Sequence, residues 1–250
     1  MKTKIINFFT FSISFLIGIY IFFPGYVVKD IITKNSSINI DSVSATLPFG
    51  IGMRNVSFKS AKIDRVYIKP NIKDLILSKT LSLNIVVIKR NSELDIYFSR
   101  KQPYKVKIEG ENLRGVDISE IFSKVFQKKI TAEGLFSIKG ELSFGDNDVR
   151  TIEGKVKING SNVTVAGLDI SPKLKVGDVR LTASCGKGVI KIDDLVLSGG
   201  DIKGKISGDV SLQQQFLESP INLVLDIEIP GLPELKGSRI TGTIRQPKIL

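Results

Sequence analysis

The chain has 250 residues, 42% of them apolar, which is enough for one large domain or two small ones. Its 36 Lys and Arg residues outnumber 25 Asp and Glu residues, and the resulting net charge of +11 favours anionic partners. The chain has no histidine, which excludes Ser-His and Cys-His catalytic pairs and any metal site with a histidine ligand. The single cysteine, Cys185, excludes an internal disulfide, and we interpret it as a small buried side chain rather than a nucleophile.

The N-terminal segment predicts a membrane anchor. Residues 5–23 carry no charge and have about the length that a helix needs to cross a bilayer. The segment ends in bulky residues up to Pro24, whereas a cleaved signal peptide ends in small residues. We therefore predict a cytoplasmic tail and an uncleaved transmembrane anchor over residues 1–26, with Tyr20 and Tyr26 at the membrane interface.

The charges that flank this segment are nearly balanced. Lys2 and Lys4 precede it, and Lys29 and Lys34 follow it. A short basic tail before a large exported domain is the commoner arrangement, so we place residues 27–250 outside the cytoplasm. No Pro-rich or Ser-rich linker divides residues 40–250, which predicts one extended β domain.

Short segments that alternate apolar and polar residues fill most of the remaining chain, which favours a mainly β fold with an antiparallel sheet. The apolar members of the clearest segments are Leu81, Leu83, Ile85 and Val87; Leu94, Ile96 and Phe98; Tyr104, Val106 and Ile108; Val156 and Ile158; Leu174 and Val176; Ile221, Leu223, Leu225, Ile227 and Ile229; and Ile240 and Ile244. Lysines alternate with several of these residues, as expected of a solvated outer sheet face.

Two segments break the alternation and predict one or two short helices. Residues 70–79 would place Ile72, Leu75 and Ile76 on one side of a helical turn. Residues 117–129 have helical apolar spacing, with Asp117 as the expected N-cap and Glu120 three residues later. We expect this second helix to plug one end of the sheet; the alternative is contact with a membrane surface.

The segment GGDIKGKISGDVSL, residues 199–212, predicts a strand with glycines on its apolar face. Gly204 and Gly208 share that face with Ile202, Ile206, Val210 and Leu212. Three interpretations remain open. The glycines would accept a facing large side chain such as Phe136 or Phe144, let the sheet coil sharply, or widen a groove for an acyl chain.

Other motifs do not point to a catalytic, cofactor or metal site. Asp146, Asn147 and Asp148 have turn chemistry without the Gly and Glu of a calcium loop. Asp193 and Asp194 lie where the apolar parity switches, which predicts a β-bulge or a tight bend rather than a catalytic carboxylate pair. No glycine-rich segment has the pattern of a phosphate loop, and no basic segment with interleaved aromatic residues points to nucleic acid. We therefore expect a protein that is not an enzyme.

Four stretches together resemble one family, protein N (GspN) of the type II secretion system, which is similar to the broader AsmA-like envelope proteins. They are LPFGIGMRNVSFKS at 47–60, VYIKPNIKDLILSK at 66–79, GVIKIDDLVLSGGDIKGKISGDVSL at 188–212, and SPINLVLDIEIP followed by GTIRQPKIL at the C-terminus. The resemblance spans most of residues 45–250 and brings no catalytic residues with it.

The resemblance implies an accessory or structural component of a secretion machine, anchored once in the inner membrane with its bulk in the periplasm. Its implied partners are inner-membrane lipid and other secretion-system proteins. AsmA-like relatives imply an alternative, a lipid-binding or lipid-transfer protein whose curved sheet holds acyl chains in a β-groove. The candidate lining of that groove is Ile202, Gly204, Ile206, Gly208, Val210, Leu223, Leu225 and Ile227.

Overall fold

The computed structural model describes residues 23–36, 38–46, 49–58, 61–125, 131–145, 148–167, 173–229 and 235–250. Most of them lie in one sheet of 15 strands. The strands are β1 (Ile38–Asn39), β2 (Ser42–Thr46), β3 (Gly50–Phe58), β4 (Ala61–Pro70), β5 (Ser82–Lys89), β6 (Ser92–Ser99), β7 (Tyr104–Arg114), β8 (Thr131–Phe144), β9 (Glu153–Ala166), β10 (Leu174–Gly186), β11 (Val189–Gly199), β12 (Lys203–Ser211), β13 (Ile221–Glu228), β14 (Leu235–Gly242) and β15 (Pro247–Ile249).

The sheet is an open antiparallel meander. From β3 to β15 each strand pairs with the next strand in the chain, and both β1 and β2 pair with β3. The predicted mainly β, antiparallel fold is therefore confirmed. The described residues form three short α-helices, α1 (Gly25–Asn35), α2 (Ile72–Leu77) and α3 (Gly115–Val125), instead of the predicted one or two.

Helix α1 crosses the predicted boundary between residues 26 and 27. Residues 5–22 of the predicted anchor lie outside the described residues. Within the described ranges, no helix has both the length and the apolar character needed to cross a membrane.

The strand register places the apolar residues of neighbouring strands directly opposite one another. One row crosses twelve strands, β3 to β14. A second row crosses eleven, β3 to β13, and lies two residues from the first in each strand except β11, where the bulge makes the spacing three. The first row is Ile51, Ile68, Ile85, Ile96, Ile108, Gly140, Val156, Ala183, Ile192, Gly208, Leu223 and Ile240. The second is Met53, Val66, Val87, Leu94, Gly110, Ile138, Ile158, Leu181, Leu195, Ile206 and Leu225. We call the surface formed by these rows the apolar face.

Bulges keep the apolar face continuous where the alternation changes parity. The apolar sequence steps from Gly110 to Leu113 in β7 across a register shift, and Asn112 there has φ 55°. In β11 it steps from Ile192 to Leu195 across the Asp193–Asp194 bulge, as predicted from the sequence. An added residue moves the side chains that follow it to the opposite face of the strand. Without the bulge, the apolar residues after each parity switch would point to the polar face, and with it they point to the apolar face.

A sequence repeat accounts for the bulge in β7 and for a second one in β9, where the pairing with β8 also shifts register. KVKIEGENL at 105–113 corresponds to KVKINGSNV at 155–163. Asn112 and Asn162 occupy the same place in the two copies, with φ values of 55° and 52°. Asn tolerates the left-handed region better than most residues, so the repeated Asn marks a repeated bulge.

The opposite face of the sheet is polar. Cross-strand pairs join Lys107 to Glu141 at 3.3 Å and Lys139 to Glu109 at 3.0 Å, and all four side chains are exposed. Exposed pairs of this kind contribute about 0.2–1 kcal/mol each. The lysines of the strands therefore form the solvated face that the sequence predicts.

The described residues form two clusters of buried apolar side chains. One contains Ile40, Met53, Val56 and Val66, with Ile32 of α1 packed against it. The other contains Val163, Leu174, Val176 and Ile202. Among the described elements, strands make extensive contacts only with their neighbours in the ladder, and α1 and α3 cover parts of the sheet. The middle of the apolar face, including Ile138 and Ile158, is only half-buried.

The two ends of the strands carry different helices. We call the end with the turns 46–50, 70–82, 99–104 and 144–153 the α2 end, and the opposite end the α3 end. Helix α3 lies against β8 and the β5–β6 turn. This agrees with the expected plug at one end of the sheet.

The expected N-cap role of Asp117 is wrong. The helix begins at Gly115, and the buried Asp117 carboxylate accepts hydrogen bonds from Ser92 and Arg90 instead. Glu120 pairs with Lys89 in the same turn of the sheet. The acidic residues of the helix therefore attach it to the β5–β6 turn rather than cap it.

Candidate functional site

An apolar cavity of about 250 Å³ lies at the α2 end of the apolar face. Strands β8 to β11 form its floor, and the 3₁₀ turn at Phe216–Glu218 lies beside it. Its apolar lining comprises Leu142, Ile152, Gly154, Val156, Ala183, Cys185, Ile190, Leu212 and Phe216.

Small residues create this cavity. Gly154 lies opposite Leu142 on one side and Cys185 on the other. Its φ is +147°, and a Cβ there would lie 2.1 Å from the carbonyl oxygen of Glu141. A larger side chain therefore cannot fill this position without moving β8 or β9.

Cys185 contributes a half-buried free thiol to the cavity wall. Burial in this apolar surrounding raises the pKa of the thiol above its usual value. At neutral pH the group is therefore the neutral thiol, which behaves as a small apolar side chain.

The predicted groove residues are brought together by the β12–β13 register. Gly204, Ile206 and Gly208 lie opposite Ile227, Leu225 and Leu223 in that order. Val210 follows on the same face of β12, and Ile202 belongs to the cluster of Val163, Leu174 and Val176.

Several of these residues are packed rather than open. Leu225 exposes only 3% of its surface, and Val210 and Ile227 are also buried. Gly204, Ile206, Gly208 and Leu223 are half-buried, as are Ile96, Ile138, Ile158 and Leu181 in the middle strands. Accessible apolar surface is therefore present both between β6 and β10 and on parts of β12 and β13.

The backbone distinguishes the three interpretations of Gly204 and Gly208. Their φ values are +135° and +140°, and a Cβ at each would lie 2.0 Å and 2.1 Å from the carbonyl oxygens of Asp226 and Asn222. Both glycines thus permit a backbone conformation and a close strand approach that other residues resist. This favours the interpretation in which they let the sheet bend.

The expectation that Phe136 packs on Gly204 or Gly208 is wrong. Phe136 lies opposite Gly160 in the β8–β9 pair, and a Cβ on Gly160 would lie 2.8 Å from its ring. An aromatic ring over a cross-strand glycine does occur, but in the repeat rather than in β12.

A second cavity, of about 420 Å³, lies at the α3 end of β11 to β13. Gly204, Leu197 and Ile227 contribute its apolar wall, and Lys203 and Glu228 contribute charge. Two of the predicted groove residues, Gly204 and Ile227, thus line a cleft with a polar margin.

A polar cleft of about 320 Å³ separates α2 from the end of the sheet, and sequence reasoning did not anticipate it. Tyr97 donates a hydrogen bond of 2.7 Å to Asp74, and its hydroxyl also lies 3.2 Å from Ser82 Oγ. The hydrogen bonds from Tyr97 and then Ser82 lower the pKa of the Asp74 carboxyl. These contacts join α2 to β5 and β6.

Among the described residues, no cluster of three or more Cys, Asp or Glu side chains has the arrangement of a metal site. Comparison with known proteins yielded no relative: no protein-family model, no curated protein and no solved structure matches the chain.

Proposed function

We propose that the protein holds the acyl chains of a lipid on its apolar face, as a membrane-anchored component of the cell envelope. The observation that carries this proposal is the pair of unbroken apolar rows, which neighbouring strands extend without a second layer of strands over them in the described residues. Exposed apolar surface of this extent marks a binding site for an apolar partner.

The dimensions support a lipid ligand. With neighbouring strands about 4.8 Å apart, a row across twelve strands follows an arc of about 50 Å. One leaflet of a bilayer has about 15 Å of hydrocarbon, so the face accommodates an acyl chain with room to spare. The cavity beside Cys185 and Gly154 provides an apolar recess on this face.

Photo-crosslinking of the full chain in its native membrane tests this proposal. A photoreactive phenylalanine replaces Ile158 on the apolar face, and a matched variant carries it at Lys157, the next residue on the polar face. We expect lipid adducts at position 158 and few at position 157. Adducts at neither position, or equal yields at both, would contradict acyl-chain binding on this face.

A second candidate function rests on the four stretches that resemble protein N of the type II secretion system. It assigns the protein an accessory or structural role in that machine, with other secretion-system proteins as partners. Purification of the detergent-solubilised full chain would then recover proteins of the secretion platform. Recovery of none, with secretion intact after deletion of the gene, would count against this role. The two functions are compatible, because a secretion component can keep a lipid-binding face.

A further inference from the structure

An unusual set of exposed apolar side chains lies at the α2 end of the sheet. Leu75, Ile76 and Leu77 of α2 are 50%, 69% and 81% exposed, and Leu81 just after the helix is 43% exposed. Phe49, in the β2–β3 turn at the same end, is 58% exposed. A helix that presents three consecutive apolar residues to water has a partner surface that the described chain does not supply.

The surroundings of this apolar tip are strongly basic. Segments 69–81 and 99–105 contain six cations, namely Lys69, Lys73, Lys79, Arg100, Lys101 and Lys105, against one carboxylate, Asp74. The Arg100 amide bonds to the carbonyl oxygen of Leu81, and Lys101 and Lys105 line the cleft beside α2. The Asp74 carboxylate offsets one of the six positive charges, so these segments keep a net charge of +5, and all six cations are exposed.

The chain also enters the sheet from this side. Gly25, the first residue of α1, lies against β2: a Cβ on Gly25 would lie 2.0 Å from the carbonyl oxygen of Val43. Further along the helix, the Lys29 ammonium donates a hydrogen bond to the carbonyl oxygen of Asp41. Helix α1 therefore runs antiparallel to β2, and its first residues are directed toward the α2 end. The predicted anchor, residues 5–23, comes immediately before α1.

We propose that the α2 end docks on the surface of an anionic bilayer, with Leu75, Ile76 and Leu77 inserted among the headgroups and the lysines beside them paired with lipid phosphates. Apolar side chains beside lysines are the composition of an interfacial membrane contact. Lysines near an anionic surface are attracted to it, and the attraction falls off within the Debye length. This contact is separate from acyl-chain binding on the sheet, so either can fail without the other.

The absence of tryptophan from the sequence allows a direct test with the full chain reconstituted in vesicles. Leu75→Trp reports on α2, and Leu135→Trp is the matched control, because Leu135 is 48% exposed at the α3 end. In vesicles that contain phosphatidylglycerol, we expect a blue-shifted emission at position 75 that brominated lipids quench. Position 135 keeps the emission of a water-exposed indole.

Charge reversal provides the second arm of the test. Lys73→Glu together with Lys79→Glu would remove the blue shift at position 75. Lys175→Glu together with Lys203→Glu makes the same change of net charge at the α3 end and would leave it unchanged. An unquenched, water-like emission at position 75 in anionic vesicles would overturn the proposal. So would a shift that grows with protein density and is equal in phosphatidylcholine, because it would indicate contact between copies of the chain.

Discussion

Ser92 Oγ donates a hydrogen bond of 3.0 Å to the carboxylate of Asp117, which is only 4% exposed. The same hydroxyl accepts a bond from the Arg114 amide, and the Arg90 guanidinium lies 2.8 Å from the other carboxylate oxygen. The buried Ser92 side chain, at the start of β6, thus joins Asp117 of α3 to Arg114 at the end of β7.

We expect Asp117→Ala to lower the free energy of unfolding by about 1–3 kcal/mol, because it leaves the buried Ser92 hydroxyl without its acceptor and removes the ion pair with Arg90. Asp95→Ala, an exposed carboxylate in the middle of β6, provides a control with little expected effect. Urea titration of both variants, followed by circular dichroism, measures the difference. Equal stability of the two variants would show that the hydrogen bonds of Asp117 contribute nothing net.

Gly204→Val is expected to destabilise the sheet, since a side chain there meets the carbonyl oxygen of Asp226 and requires φ near +135°. Overpacking alone costs about 1–3 kcal/mol, and the strained backbone adds to it. Gly186→Ala is the control, because no atom lies within 4 Å of the added Cβ. A Gly204→Val protein with unchanged unfolding and less bound lipid would instead support the groove-widening interpretation.

The Cys185 thiol should react slowly with maleimides at neutral pH. Burial raises the pKa of this thiol, and only the thiolate is nucleophilic, so the folded protein carries less reactive thiolate than the unfolded chain. The rate should rise about tenfold per pH unit until the raised pKa is reached. Since this is the single cysteine, the urea-unfolded chain serves as its own control.

Bound lipid should slow the same reaction further, because Cys185 lines the cavity. Alkylation at one pH, before and after lipid extraction, tests this. A rate that lipid does not affect would place the acyl chain away from this end of the sheet.

Acid should loosen α2. The hydrogen bond from Tyr97 favours the ionised Asp74 carboxylate, so the pKa of Asp74 is lower in the folded protein than in the unfolded chain. The resulting stabilisation is present above the pKa of Asp74 in the unfolded chain and is lost as the pH falls through the lower pKa of the folded protein. The protection factors of the amides of residues 72–77, which correct the exchange rate for its intrinsic fall in acid, should therefore decrease as the pH is lowered in the wild type.

In Tyr97→Phe, the protection factors of residues 72–77 should already be lower at neutral pH and should depend less on acid. Tyr67→Phe is the control, because the Tyr67 hydroxyl has no hydrogen bond among those described in the structure. Identical exchange in the wild type and Tyr97→Phe would mean that other contacts hold α2.

Features that depend on a few adjacent residues were predictable from the sequence. The alternation in β12 and β13 assigned Ile206 and Leu225 to one face, and the parity switch located the bulge at Asp193 and Asp194. The segment around Ile72 and Leu75 predicted α2. The repeat at 105–113 and 155–163 is also present in the sequence. The spacing between glycines does not identify it, whereas the matching positions of Asn112 and Asn162 do.

The sequence by itself determined the strands, their faces and the basic, one-sided character of the sheet, because side-chain parity in a strand is a local property. Tertiary structure alone decided which residues meet: Phe136 with Gly160, Asp117 with Ser92, and Cys185 with Gly154 around a cavity. Those partners lie 24 to 31 residues apart, and their meeting depends on the register of whole strands. The need for glycine at position 204 likewise follows only from the tertiary structure, because it depends on the positive φ of Gly204 and on the nearby carbonyl oxygen of Asp226 in β13.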